Sequence, residues 1–280
     1  MENLGAAGGV RHRLGGYREH APPPQLTTVA EGVWVYRAPA DAAPEAATHR
    51  VLPDPAMSVA FWCAREGDGR PVAPRVVLIG AKTRPHVVSF GPGSEIAAVR
   101  LKLEWTEPLL GLLPAEHQDA EESLSLVLPR LARLLLDSLV ETRTAGQSLA
   151  ALTAAIAGES GRIRGPGPGH AARALDLVRR TAGRMPVAHV AGEVGVSLRH
   201  LRRAVRRTGV SLKAYARTTR FLNAMTSADR TPAPGWARIA ADAGFADQSH
   251  LVRECRTLAG MTPGAVHAER RAEAEISNRW

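Results

Sequence analysis

Four arginines near the C-terminus have a spacing that places their guanidinium groups on one stripe of a helix. They stand at i, i+3, i+4 and i+7, and they are Arg199, Arg202, Arg203 and Arg206. Four like charges on one stripe repel each other unless an anion lies against them. Guanidinium forks bind both phosphates and the O6/N7 edge of guanine. The stripe therefore predicts a contact with DNA, with Leu198 at the start of the same helix as a neighbouring candidate; a solvated basic helix is the alternative.

A second group of candidate DNA contacts lies further along the chain. Gln248 and Ser249 stand at the start of a predicted helix, and Val252, Arg253 and Arg256 follow on its outer face. Glutamine matches the N6/N7 edge of adenine. On residue type alone, a cap or a structural hydrogen bond explains Gln248 equally well. The five residues are the predicted contacts of this second helix.

Two similar segments position these residues, one over residues 190–201 and the other over residues 239–251. Each has a short apolar helix, a glycine turn at Gly195 or Gly244, and a polar or basic second helix. A second helix that projects past such a turn is typical of a helix-turn-helix that enters the major groove. Two units predict that one chain reads two neighbouring groove segments without a partner. Each second helix is expected to end on a left-handed glycine, Gly209 and Gly260.

The inner faces of the two second helices are also predictable from their spacing. The first should bury Leu201, Val205 and Thr208, and the second should bury Leu251, Cys255 and Leu258. Cys255 occupies the position of Val205, which indicates a small core residue rather than a reactive thiol. Asp247 is the predicted N-cap of the second of these helices.

The net charge of +9 is concentrated in the half that contains the repeat. Residues 170–280 contain 19 Lys or Arg and 9 Asp or Glu, whereas residues 1–169 contain 17 and 18. Lys and Arg gain affinity for nucleic acids by releasing counterions from phosphates. The charge distribution therefore favours a polyanionic partner, and a solvated basic surface is the other interpretation.

The chain offers no constellation for catalysis or for metal binding. Its two cysteines, Cys63 and Cys255, fall in different predicted domains, which favours a reducing compartment. The histidines of the first half form no H-x-H pair; they are His12, His20, His49, His86 and His117. We predict no catalytic residue, no metal and no cofactor. Without a signal peptide or a run of roughly eighteen apolar residues, we expect a cytoplasmic protein with no membrane partner.

The N-terminal half has the pattern of a small β-barrel or sandwich. Six short β-like runs are separated by turn signals: Gly32–Tyr36, Arg50–Leu52, Ser58–Trp62, Arg75–Ile79, His86–Phe90 and Ile96–Leu101. From Glu107 onward leucines recur at helical spacing, so two or three helices should close this domain. A Gly/Pro run then indicates a linker.

The predicted fold class is α+β, a small β-barrel or sandwich with C-terminal helices linked to an all-α domain with two helix-turn-helix motifs. The predicted boundaries are a loose segment at 1–25, a regulatory or dimerisation domain at 26–157, a linker at 158–169, a DNA-binding domain at 170–268 and a tail at 269–280.

Residues 171–268 resemble the C-terminal DNA-binding domain of the AraC/XylS family of bacterial transcription regulators. The most specific part is Ile239–Arg253, closed by Gly260–Pro263. The first motif is one residue shorter, since Leu201–Gly209 corresponds to Leu251–Gly260, and it lacks the family's aromatic residue near Val205. The resemblance implies a sequence-specific regulator that inserts two recognition helices into successive major-groove segments.

Residues 17–125 resemble, less closely, the cupin-like N-terminal domain of some members of that family. The resemblance is in His49–Asp54, Gly80–Pro85 and Ala98–Leu101, whereas Lys102–Trp105 replaces a glycine-containing turn. In the family such domains sense small effectors or mediate dimerisation.

The expected partner is double-stranded DNA. RNA polymerase, an unknown small-molecule effector and a second copy of the chain remain open as further partners. The alternatives in function are a nucleic-acid-binding protein without sequence specificity and a cupin-type enzyme fused to a DNA-binding domain.

Overall fold

Antiparallel β-structure forms the N-terminal half of the protein. The computed structural model describes residues 10–14, 16–38, 48–164 and 167–277. Its strands are β1 (Val10–Leu14), β2 (Tyr17–His20), β3 (Ala30–Arg37), β4 (Thr48–Val51), β5 (Met57–Arg65), β6 (Pro71–Ile79), β7 (His86–Ser89), β8 (Glu95–Leu101) and β9 (Glu121–Ser123). Seven of them form one sheet in the order β1-β2-β3-β8-β5-β6-β9, and β4 pairs with β7 in a second sheet.

The large sheet has two faces of different character because side chains alternate along a strand. On β3, Val33 and Val35 are buried in the main hydrophobic core, whereas Trp34 and Tyr36 point to the opposite face and are only partly buried. On β8, Val99 belongs to the main core. The main core therefore lies on one side of the sheet, and the other side carries a smaller aromatic cluster.

All six predicted strands are present, but the predicted loose segment at 1–25 is wrong where the structure describes it. Strands β1 and β2 form a hairpin that pairs with β3, with Tyr17 opposite Tyr36, and a 3-10 turn follows at Pro24–Leu26. Leu26 is fully buried. Local sequence did not reveal this hairpin, because its stability depends on pairing with a strand that is distant in the chain. Residues 1–9 lie outside the described residues.

Helices cover the core side of the sheet. They are α1 (Thr106–Leu110), α2 (Leu124–Val127), α3 (Pro129–Leu139) and α4 (Ala145–Ser160). The described residues thus contain four helices here, where two or three were predicted. The leucines at 124, 131, 135 and 139 are buried in the same core as the sheet residues. Helix α4 also contradicts the predicted start of the linker, since residues 158–160 continue it for three residues.

The C-terminal half is entirely helical in the described residues. Its helices are α5 (Gly169–Arg180), α6 (Val187–Val194), α7 (Leu198–Val205), α8 (Leu212–Ala228), α9 (Trp236–Asp242), α10 (Gln248–Ala259) and α11 (Pro263–Ser277). Helix α11 begins at Pro263 and extends into the predicted tail at 269–280 as far as Ser277. No helix in the described part of the chain is long and apolar enough to cross a membrane.

The two halves contact each other at several points despite the Gly/Pro segment between them. Arg207, just after α7, forms an ion pair with Glu107 of α1. Arg50 of β4 donates to Glu269 of α11 at 2.9 Å. Leu52 is buried in the core of the second helix-turn-helix. The orientation of the DNA-binding helices is thus tied to the N-terminal half.

The contact between the halves gives a testable difference between two glycines. Gly195 and Gly209 both have a positive φ, of 78° and 75°. A Cβ added at position 209 would lie 2.6 Å from Cα of Ala115. A Cβ added at position 195 would have no described atom within 4 Å apart from those of the adjacent residues. We expect Gly195→Ala to cost about 1–2 kcal/mol from the left-handed backbone alone, and Gly209→Ala to cost clearly more.

Urea unfolding of both full-length variants checks this expectation. The control is the same two substitutions in a chain that lacks residues 1–160. Because Ala115 is then absent, Gly195→Ala and Gly209→Ala should lower the free energy of unfolding by equal amounts. Equal costs in the full-length protein would contradict the docked arrangement.

Candidate nucleic-acid interface

The first helix-turn-helix consists of α6 and α7, joined through Gly195. Helix α6 ends on this glycine in the left-handed conformation, and its N–H donates back to the carbonyls of Ala191 and Gly192. Ser197 caps α7, because its hydroxyl accepts a hydrogen bond from the backbone N–H of His200 at 3.2 Å. The sequence thus encodes both the end of one helix and the beginning of the next.

The predicted inner face of α7 is confirmed. Leu201, Val205 and Thr208 are at most 5% exposed. Leu198 is half-buried and packs against the main core, so only part of its side chain is available to a partner. The four arginines of the stripe are all exposed. Regular α-helix ends at Val205, and Arg206 lies on a 3-10 turn that leads to Gly209.

The second unit has the same arrangement with a longer second helix. Asp247 caps α10 as predicted, since its carboxylate accepts from the His250 N–H at 2.6 Å. Leu251, Cys255 and Leu258 are buried as predicted. The outward residues differ slightly in exposure: Gln248, Ser249, Arg253 and Arg256 are exposed and Val252 is half-buried. Helix α10 stays regular over twelve residues, up to the left-handed Gly260.

Helix α8 holds the two units at a fixed relation. Near its start, Tyr215 and Ala216 are buried in the core that contains the first unit. Near its end, Phe221 and Met225 are buried in the core that contains the second unit. Because one continuous helix of 17 residues contributes to both cores, it sets their separation.

Arg220 on α8 strengthens this relation, and sequence reasoning missed it. Its guanidinium donates to the carbonyl of Gly183 at 2.8 Å and to that of Gly244 at 3.4 Å. It also lies 5.8 Å from the ring centroid of Phe245. Arg220 thus joins the segment before the first unit to the turn of the second. Its partners are mostly backbone carbonyls, so residue types gave no signal for this role.

The exposed arginines of the two second helices have no acidic partner among the residues that the structure describes. No ion pair or side-chain hydrogen bond is present there for the guanidinium of Arg199, Arg202, Arg203, Arg206, Arg253 or Arg256. By contrast, the neighbouring Arg207 and Arg217 pair with Glu107 and Glu254. The interface therefore presents unneutralised positive charge on the helix faces that point outward, where phosphates or base edges can bind it.

Both cysteines lie in hydrophobic cores, as expected for ordinary core residues. Burial raises the pKa of the Cys63 thiol to about 11 and that of Cys255 to about 12. Thiols with a raised pKa are poor nucleophiles at neutral pH. Within the described ranges, no three His, Cys, Asp or Glu side chains are grouped closely enough to hold a metal ion.

Two family models match separate parts of the chain. Residues 190–269 match a helix-turn-helix domain, and residues 18–122 match a domain of unknown function, DUF6597. The first match covers both helix-turn-helix units. The second extends from β2 into β9 and includes α1, and β1 lies outside it. No curated protein matches the chain.

Solved structures with low sequence identity also resemble it. A DNA-binding transcriptional dual regulator from Escherichia coli K-12 is 19% identical over 42% of this chain and 99% of that one, with a TM-score of 0.33. ToxT from Vibrio cholerae is 12% identical over 85% of this chain and 97% of that one, with a TM-score of 0.46. A fatty-acid-bound ToxT structure from strain SCE256 is 16% identical over 85% and 94%, with a TM-score of 0.45.

The geometry and the family match agree on the C-terminal half. It has two capped helix-turn-helix units on one connecting helix, exposed basic second helices, and a match to a helix-turn-helix domain over residues 190–269. The C-terminal half is therefore a DNA-binding domain of the helix-turn-helix type.

Proposed function

We propose that the protein is a transcription regulator of the AraC/XylS type, and that it reads a specific DNA sequence by inserting α7 and α10 into successive major-groove segments on one face of the duplex. The observation that carries the proposal is the outward stripe of unpaired arginines on α7, together with Arg253 and Arg256 on α10. Arginine provides bidentate contacts to guanine, and each good pair discriminates against the wrong base. Gln248 and Ser249 occupy the first turn of α10, the part of a recognition helix that reaches base edges.

The rigid connection between the units supports reading by both helices. Helix α8 and Arg220 fix the two units relative to each other, so the second helix has a defined position once the first has bound. Successive major-groove segments are about 34 Å apart. A protected footprint confined to a single half-turn of DNA would contradict this arrangement.

We propose that the N-terminal half regulates this binding and performs no catalysis. A cavity of about 640 Å³ is lined by residues of both sheets and of α8, and this favours effector sensing. Dimerisation is the second candidate role, because Leu126 and Leu134 of the closing helices are 84% and 49% exposed. Mass measurement of the full-length protein, free and on DNA, distinguishes a monomer from a dimer.

We expect residues 165–280 alone to select a specific DNA sequence. The division at the Gly/Pro segment and the excess of basic residues beyond it are the reasons. At physiological salt the fragment should prefer its selected site over random DNA by at least about 10³-fold. The measurement is selection from random duplexes, followed by binding titrations of the fragment.

The competing function, binding without sequence preference, predicts a different result from the same titrations. Affinity would then fall steeply with salt and would be similar for all duplexes. A folded fragment with that behaviour would rule out sequence-specific reading.

A further inference from the structure

A cavity lies on the side of the large sheet that faces away from the main core. Strands β3, β5 and β8 supply one wall, and the β4–β7 pair supplies another through His49 and Val88. Leu222, Met225 and Thr226 of α8, with Arg230 just after this helix, complete the lining from the DNA-binding half. The cavity is therefore shared by the two halves of the protein.

Aromatic side chains are concentrated around this cavity. The whole chain has five Trp, three Tyr and four Phe residues, and five of these twelve line the cavity. They are Tyr17, Trp34, Tyr36, Trp62 and Phe90. In a chain with only 4% aromatic residues, this concentration assigns a common role to them.

The rings form continuous aromatic walls. The centroid of Phe90 lies 4.4 Å from that of Tyr36 and 5.2 Å from that of Trp62. Tyr17 and Trp34 form a second pair with centroids 5.6 Å apart. Such separations are typical of favourable aromatic pairs, and a further planar ring can add to them.

A small hydrophobic cluster on this side of the sheet buries Phe90, but it covers the other rings only in part. Trp34, Tyr36 and Trp62 remain only partly buried, whereas the aliphatic residues on the opposite face of the same strands are fully packed. Ser58 of β5, which also lines the cavity, is small and polar and so leaves room beside Trp62. The rings of Trp34, Tyr36 and Trp62 therefore pack on this small cluster with one part of their surface and border the cavity with another.

The charges that line the cavity do not favour a cationic ligand, although Arg50 and Arg270 are themselves paired with Glu269 and Asp229. Five basic side chains face three acidic ones: Arg50, Lys82, Arg100, Arg230 and Arg270 against Glu19, Asp54 and Glu121. Two of the three carboxylates are already engaged, because Arg100 pairs with Glu19 and with Asp54, each at 3.1 Å. An aromatic cage for a cation would need free acidic groups or a neutral lining instead.

We propose that this cavity binds a planar aromatic molecule without positive charge, and that the bound molecule contacts α8 and thereby changes DNA affinity. The inference rests on the proposed sensing role of the N-terminal half. Helix α8 is the route, since its lining residues belong to the helix that sets the relation between the two helix-turn-helix units. If the ligand changes the affinity of the protein for DNA by some factor, bound DNA changes the affinity of the protein for the ligand by the same factor.

The test compares three probes of the same outline by calorimetric titration of the full-length protein. They are 2-naphthol, its saturated counterpart decahydro-2-naphthol, and 2-naphthylmethylamine as the cation. We expect 2-naphthol to bind at least about fivefold more tightly than either of the others, because only it combines a planar π-face with the absence of positive charge. Equal affinities of the aromatic and the saturated probe would overturn the proposal.

Substitutions locate the binding to the aromatic walls. Trp62→Leu keeps an apolar side chain but removes a ring. It should therefore lower the affinity for 2-naphthol at least about fivefold and change the affinity for decahydro-2-naphthol by no more than about twofold. Trp105→Leu is the matched control, since Trp105 contacts the linker residue Gly167 and does not line this cavity. Phe90→Leu is the second variant if Trp62→Leu does not fold. Equal losses in the Trp105 control would overturn the assignment.

Titrations of the selected DNA site with and without saturating 2-naphthol test the coupling. We expect 2-naphthol to change the affinity for DNA at least about threefold. The affinity for 2-naphthol should change by the same factor when DNA is present. An unchanged DNA affinity would overturn the coupling through α8. Specific DNA binding with no 2-naphthol binding would refute this inference and leave DNA recognition standing; the reverse result would refute DNA recognition alone.

Discussion

Arg179→Ala is expected to lower the free energy of unfolding by about 3–5 kcal/mol, because it removes the guanidinium that pairs with one buried and one partly buried carboxylate. The described part of the structure shows Arg179 of α5 donating to Glu104 at 2.5 and 3.1 Å and to Glu31 at 3.2 Å. It also donates to the hydroxyl of Tyr215 at 3.0 Å, and that hydroxyl donates to Glu31 at 3.0 Å. Without the guanidinium, the carboxyl groups of Glu31 and Glu104 lose their shared partner from α5.

The loss should depend on pH in a defined direction. Burial already raises the pKa of Glu31, and the charge of Arg179 opposes this effect. Without Arg179 the pKa of Glu31 rises further in the folded state, while its unfolded value stays near 4.3. The folded variant therefore binds protons that the unfolded chain has released, so its deficit is largest at neutral pH and shrinks as the pH falls toward about 4.

Urea unfolding between pH 7 and pH 4 measures both the size and the pH dependence. The control is Arg180→Ala, which removes the next arginine, an exposed one paired with Asp176 at 2.9 Å. An exposed pair of this kind contributes less than about 1 kcal/mol. Similar losses for the two variants, or a loss that is constant with pH, would show that the charge cluster does not hold the two halves together.

Arg202→Ala and Arg253→Ala are expected to relax base preference at two different positions, about ten base pairs apart. Each should cost about 1–3 kcal/mol of binding free energy at the preferred base. Both side chains are exposed and leave the cores untouched, so the variants should keep wild-type unfolding curves. Selection from random duplexes with each variant, followed by titrations on single-base substitutions, gives the positions and the sizes.

Arg238→Ala is the matched control for these variants. Arg238 lies on α9, the first helix of the second unit, and it is exposed and 3.6 Å from Asp242. Its loss should leave base preference unchanged. If Arg202→Ala or Arg253→Ala instead weakens binding equally on every sequence, that arginine contacts phosphate only. If both relax the same position, the two helices do not occupy successive groove segments.

The sequence by itself determined the elements whose signals are local. A serine or aspartate cap, a glycine in the left-handed region and a helical period of apolar residues all act within one or two turns of the chain. They predicted second helices that end at Gly209 and Gly260 and separated their buried faces from their exposed arginines, although regular α-helix ends at Val205 in the first. The six predicted strands were also found, because alternation and turn residues are local signals.

Only the tertiary structure decided the features that depend on distant partners. The β1–β2 hairpin forms by pairing with β3, and the aromatic cavity arises where rings from β2, β3, β5 and β7 meet α8. Arg179 and Arg220 read as ordinary basic helix residues until their partners are in place. In each case the stabilising contact joins residues far apart in sequence, and the free energy of such contacts depends on the fold and leaves no local pattern.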